Sequence, residues 1–276
     1  METRNSIHPE HAQLMTTEEL RDEFLVTGIM EAGQITATYT HIDRVILGGI
    51  CPVDKTLGLP SGDLIASEFF LEKREIGIFN VGGPGSIEVE GAQFDMDFRD
   101  CLYIGRGAKK VLLSSKDKTN PAKFYYNSTP SFVDLPVKKI TMEGARHVNL
   151  GSADKCNVRI INQYIHPEVM ESCQLTMGLT VVEKENVWNT MPAHLHERRM
   201  EVYFYTDFPE DEVVFHFMGE PQETRHLVVK RDEAVISPSW SIHGGAGTMA
   251  YSFIWGMAGE NKDFGDIDVI PLVEMR

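Results

Sequence analysis

The sequence predicts a mainly β protein built as two related small barrels. Three observations carry this expectation. Over most of the chain, short apolar or alternating runs are separated by Gly, Pro, Asn and Asp, which is the signature of a sandwich or barrel. One charged strand start, Glu72-Lys73-Arg74-Glu75-Ile76-Gly77-Ile78-Phe79, is echoed by Glu197-Arg198-Arg199-Met200-Glu201-Val202-Tyr203-Phe204 at a spacing of 125 residues. Between the two lies a stretch punctuated by Pro121, Pro130 and Pro136.

The elements follow in order. Thr16-Thr17-Glu18-Glu19-Leu20 is the strongest helix start, because a Thr can cap free amides and carboxylates suit the positive helix end; a short helix through Phe24 or Leu25 follows. Beyond it, strands are expected at 34–41, 76–81, 86–89, 108–114, 174–182, 202–205 and 213–218. In both copies of the repeat the charged start leads to a turn, an apolar strand, a second turn and another strand, ending near Ser114 or His243. The repeat divides the chain into a first barrel over 1–120, a connection over 121–145 and a second barrel over 146–276. Where the second copy has histidines, the first has Gly, Lys and aliphatic residues. The first barrel is therefore expected to be metal-free.

Composition narrows the function classes. The hydrophobic share of 42% and charged share of 24% are those of an ordinary globular chain. A net charge of −15 argues against a nucleic-acid surface, which needs clustered Lys and Arg. An anionic substrate is compatible with that charge where a local Arg or Lys overrides the field. Met1 to Glu10 is polar and lacks an apolar leader core, and no window approaches the ~20 apolar residues of a membrane span. Four scattered cysteines, Cys51, Cys101, Cys156 and Cys173, form no CxxC pair and fit reduced, mostly buried thiols in a cytoplasm.

The chemistry concentrates in one segment. Met191-Pro192-Ala193-His194-Leu195-His196-Glu197-Arg198-Arg199-Met200-Glu201 contains HxH with a glutamate five residues after the second histidine. Alternate strand residues share a face, so His194 and His196 can point into one cavity, and a turn or bend can return Glu201 to it. His243 lies in Ser237-Pro238-Ser239-Trp240-Ser241-Ile242-His243-Gly244-Gly245, a Pro-opened and Gly-closed segment that can present one side chain from a neighbouring strand. Three imidazoles and a carboxylate suit Zn²⁺, Fe²⁺, Mn²⁺, Co²⁺ or Ni²⁺. One divalent metal on His194, His196, Glu201 and His243 is the expectation. His8, His11, His41, His147, His166, His216 and His226 lack such a setting and are read as surface or core residues.

These residues resemble the cupin superfamily, whose first motif supplies two His and a Glu and whose second supplies the last His. They depart from the common form in lacking a glycine before the first His and in a slightly long His-to-Glu spacing. The wider context is similar to the bacterial 5-dehydro-4-deoxy-D-glucuronate (5-keto-4-deoxyuronate) isomerase family. The runs that carry this are Tyr164-Ile165-His166-Pro167, Met177-Gly178-Leu179-Thr180, Asn186-Val187-Trp188-Asn189-Thr190-Met191-Pro192, Arg199-Met200-Glu201-Val202-Tyr203-Phe204-Tyr205, Met218-Gly219-Glu220-Pro221-Gln222 and Phe253-Ile254-Trp255-Gly256-Met257. The resemblance runs nearly end to end. It implies a two-cupin chain, zinc on the four residues, a cytoplasmic homohexamer, and aldose-ketose isomerisation to 3-deoxy-D-glycero-2,5-hexodiulosonate in the breakdown of pectin and related uronates.

Such a reaction moves hydrogen between adjacent carbons. A Lewis-acid metal holding both oxygens favours the charge that develops, and a base near working pH shuttles the proton. The sequence does not identify that base: Glu197 is the nearest spare carboxylate but reads as a surface residue, and metal-activated water or a hydride shift would serve as well. For the substrate carboxylate an Arg fork is expected, and Arg159 is the candidate, sharing a strand face with Ile161 and Gln163. Thr180 belongs to a polar face that can line the cavity. Trp255 and Met257 can wall it. Competing readings are a cupin dioxygenase holding iron and a non-catalytic sugar-binding cupin.

Overall fold

The computed structural model describes residues 1–262 and 265–276. It divides into two compact units, each with its own apolar cluster. The first comprises Met1–Thr3, Gly28–Ala145 and Tyr164–Thr176; the second comprises Arg4–Thr27, Arg146–Gln163 and Met177–Arg276.

Each unit contains a seven-stranded and a four-stranded sheet in matching order. In the first, Arg74–Asn80 lies between Phe124–Pro130 and Cys101–Ile104, antiparallel to both. In the second, Arg199–Thr206 lies between Ser252–Gly259 and Ala234–Ser237, again antiparallel to both. The central strands start at the two arginines that the repeat equates, Arg74 and Arg199. The four-stranded sheets run Leu57–Gly58, Val111–Ser115, Gly85–Val89, Ala92–Met96 and Trp188–Asn189, Gly244–Gly247, Val214–Glu220, Glu223–Val229. This is the mainly β, two-barrel cupin architecture expected, with a few short helices. Among the described residues no helix is long and apolar enough to cross a membrane.

The helix forms where the capping signal lies, at Thr17–Phe24. Thr16 Oγ1 accepts from the Glu19 amide at 3.3 Å, and the Glu19 carboxylate accepts from the Thr16 amide at 2.7 Å, so two orphan donors are satisfied reciprocally. Its buried face, Leu20 and Phe24, joins the apolar cluster of the second unit. The strand Leu25–Val26 then pairs with Ala234–Ser237. Residues assigned to the first barrel from sequence order thus belong to the second, because their apolar face is buried there.

The stretch 121–145 also differs from a simple connection. Phe124–Pro130 is an inner strand of the first sheet, paired on both sides, and Lys138–Ile140 pairs with Cys101–Ile104. Pro130 is tolerated as its last residue, where little ladder remains to interrupt. The segment 164–176 packs with the first unit through the buried Glu75 carboxylate, which accepts the amides of Cys173, Gln174 and Leu175 at 2.7, 2.7 and 2.8 Å. A buried carboxylate needs such donors. None of the four cysteines is in a disulfide; Cys51 and Cys101 are buried, whereas Cys156 is exposed.

Candidate metal centre

Strand alternation builds the centre. Along Arg199–Thr206, Glu201, Tyr203 and Tyr205 share one face, and their partners across the ladder are Met257, Trp255 and Phe253. His194 enters on the two-residue strand His194–Leu195, which pairs with Asp268–Val269. The regular strand ends there, so the expected HxH strand covers only the first histidine. His196 is oriented instead across a turn, its Nδ1 lying 2.9 Å from the Arg199 backbone oxygen. His243 comes from the Pro238 loop. That loop is held by the Ile242 amide donating to Gly219 O at 2.9 Å and by the Gly219 amide donating to Ser241 Oγ at 2.9 Å.

The four side chains converge. His243 Nε2 lies 3.0 Å from His194 Nε2 and 3.0 Å from Glu201 Oε2, and His196 Nε2 lies 3.1 Å from the same oxygen. His196, Glu201 and His243 are buried. The donor set itself tests whether a cation fits. With Nδ1 of His196 directed at a backbone carbonyl, Nε2 is the ring nitrogen placed to ligate a cation, and it faces a carboxylate oxygen. His243 repeats the arrangement more loosely, with Nδ1 at 3.4 Å from Ser241 O. Imidazole nitrogens and a carboxylate oxygen this close together match the donor set of a divalent ion, which takes the place of the ring protons when it binds.

Electrostatics agree. Burial, followed by the neighbouring His243, pushes His194 down to about 2, so its imidazole is neutral and ligand-competent. For Glu201 burial acts upward, but His243 and His196 outweigh it and hold the carboxyl below its ordinary range. Arg199 lies beside the cluster: its side chain is buried, and its Nη2 lies 3.0 Å from Asp266 Oδ1.

A cavity of about 400 Å³ opens on His194, His196 and Glu201, within the range of small-molecule sites. Arg159, Gln163, Thr180 and Trp255 all line it. Gly178 makes room for Trp255, since a Cβ there would stand 2.1 Å from the indole Cζ2. Glu197 is exposed, as a surface residue would be. His216 is buried, with Nδ1 2.7 Å from Tyr205 Oη; burial pushes it down to about 3. Three residues of the site carried no assignment from sequence. Tyr203, whose hydroxyl lies 3.1 Å from Thr190 Oγ1, was legible from alternation two residues after Glu201. Arg146 required the pairing of Arg146–Leu150 with Arg159–Ile165. Asp266 had no sequence signal.

The chain has relatives among known proteins. Two relatives match over the whole of both chains, one from Caldicellulosiruptor bescii at 50% identity and one from Yersinia pestis (strain Pestoides F) at 54%. Both are named 4-deoxy-L-threo-5-hexosulose-uronate ketol-isomerase. Among solved structures, an IolB-like protein from Salmonella typhimurium LT2 superposes with a TM-score of 0.71 at 16% identity, covering 90% of this chain and 96% of that one. An oxalate decarboxylase from B. subtilis gives 0.56 at 9% identity, covering 81% and 71%. At those identities the structures speak for the fold alone. Residues 25–269, which include every ligand candidate and every predicted cavity residue, match the KduI/IolB family, and the chain belongs to that family.

Proposed function

We propose that this chain is a metal-dependent ketol-isomerase that converts 4-deoxy-L-threo-5-hexosulose uronate to 3-deoxy-D-glycero-2,5-hexodiulosonate in uronate degradation, with zinc as the metal. The observation that carries the proposal is the convergence of three imidazole nitrogens and a carboxylate oxygen on the wall of a substrate-sized cavity. Relatives that match end to end and are named for this activity support it. His194, His196, Glu201 and His243 would hold the metal. Bound there, a divalent ion would supply Lewis-acid polarisation of the sugar carbonyl.

The remaining residues bind, orient and hold protons. Burial keeps the Tyr203 hydroxyl protonated well above the ordinary tyrosine range, so its Oη offers a hydrogen-bond donor to a substrate oxygen. Thr190 Oγ1 lies 3.1 Å from that hydroxyl, and with Thr190 as the donor the Tyr203 hydrogen is left for the substrate. Trp255 and Met257 exclude water from one side of the cavity. A homohexamer is part of this proposal, on the strength of the sequence resemblance.

Incubating zinc-loaded protein with the deoxyuronate and following the carbonyl carbons by NMR tests the reading. The expected result is conversion of aldehyde to ketone without oxygen uptake. Protein that is active only when loaded with iron, with substrate-dependent oxygen consumption and no ketose, would overturn it.

A further inference from the structure

One wall of the cavity is a strand pair. The register Arg146↔Gln163, Val148↔Ile161 and Leu150↔Arg159 puts six side chains on one face, and all six line the cavity. The row has an arginine toward each end and apolar residues between. Among the described residues of the lining, Glu201 is the one carboxylate, and it belongs to the metal cluster. The third arginine, Arg199, is engaged with Asp266.

The two remaining arginines differ. Arg146 is exposed, and its Nη1 donates to Gln163 Oε1 at 2.6 Å. Gln163 thereby spends its acceptor on aiming Arg146. Arg159 is partly buried; its Nη1 donates to the Asn157 backbone oxygen at 2.9 Å. A guanidinium carries five donors in a planar fork that matches a carboxylate. A partly desolvated cation whose bonded partner is a neutral carbonyl gains most from an arriving anion. The chain as a whole, at −15, repels such an anion, so a local cation must offset that field.

We propose that Arg159 binds the carboxylate of the sugar acid and sets the preference for an acid over a neutral sugar, while Arg146, positioned by Gln163, draws the anion in at the rim. The substrate then lies with its carbonyl end at the His194–Glu201 cluster and its acid end at Arg159. This rests on the isomerase reading.

The test compares the deoxyuronate with its methyl ester, which keeps the reacting carbons and loses the charge. Both are assayed with zinc-loaded wild type, Arg159→Ala, Arg159→Lys and Arg146→Ala, and zinc content is measured for each. Wild type is expected to favour the acid in kcat/KM by about 10- to 100-fold, the worth of a charge-assisted hydrogen bond. Arg159→Ala is expected to lose that preference through a rise in KM that is larger for the acid than for the ester, with its zinc content retained. Arg159→Lys restores part of the preference, which a mere packing role would not predict. Arg146→Ala gives a smaller, salt-sensitive rise in KM. An acid-to-ester ratio unchanged in Arg159→Ala overturns the inference while leaving the isomerase intact. Wild type that converts neither substrate overturns the isomerase reading, and the inference with it.

Discussion

In the first barrel Ile76 is the third residue of the central strand; in the second that place is taken by Glu201. The same offset sets Phe69, an aromatic residue where aliphatic, Gly or Lys residues are expected, and Leu71 against His194 and His196, and Ile78 against Tyr203. Leu71, Ile76 and Ile78 are fully buried members of one apolar cluster. The first barrel is thus closed by side chains, whereas the second replaces them with ligands and a hydroxyl beside a cavity. The arginine that starts each central strand is common to both. Arg74 Nε donates to Ser128 Oγ at 3.1 Å and its Nη2 to Arg44 O at 2.6 Å, while Arg199 binds Asp266. The difference teaches that the arginine belongs to the scaffold and the ligand set to the chemistry.

Exchanging the two kinds of filling breaks this comparison most visibly at the metal. Glu201→Gln is expected to reduce zinc occupancy and lower kcat/KM by about 10³-fold, the several kcal/mol that a Lewis acid supplies; plasma emission and NMR turnover measure the two. His243→Ala should act in the same direction with the fold retained, since the lost ligand is local to one barrel. Ile76→Ala, at the matching position, should cost about 2–5 kcal/mol of stability through its cavity while the zinc content stays at wild-type level. A zinc loss there would show that the barrels are not independent in function.

Smaller changes sharpen the account. Asp266→Asn removes the charged partner of a buried arginine whose backbone oxygen orients His196, and zinc affinity should fall about 10- to 100-fold in a chelator competition. Gly178→Ala should displace the Trp255 indole, costing about 1–3 kcal/mol and raising KM with metal content unchanged. Tryptophan fluorescence would report the displacement, and an unperturbed spectrum would contradict the close contact.

Much of this was legible in the sequence because the relevant signals are local. The Thr16–Glu19 capping box, the strand runs and the HxH-to-Glu spacing all act within a few residues. The repeat extended them to the strand order of both barrels. What escaped depends on where a surface is buried. The helix Thr17–Phe24 precedes the first barrel in sequence, yet Leu20 and Phe24 meet their apolar partners in the second. Phe124–Pro130 carries prolines before and at its end, which disguise an inner strand as a linker. Asp266 and the strand Asp268–Val269 touch the site only through the fold, by an ion pair and a two-residue ladder. No spacing rule reaches them.

The central claim is that one divalent ion binds on the second barrel and not the first. Anomalous diffraction from crystals of the zinc-loaded protein tests it directly. The account predicts one peak per chain, about 2.0–2.2 Å from the Nε2 atoms of His194, His196 and His243 and from a Glu201 oxygen. Stoichiometric zinc located elsewhere, or full isomerase activity in protein stripped of metal, would contradict it.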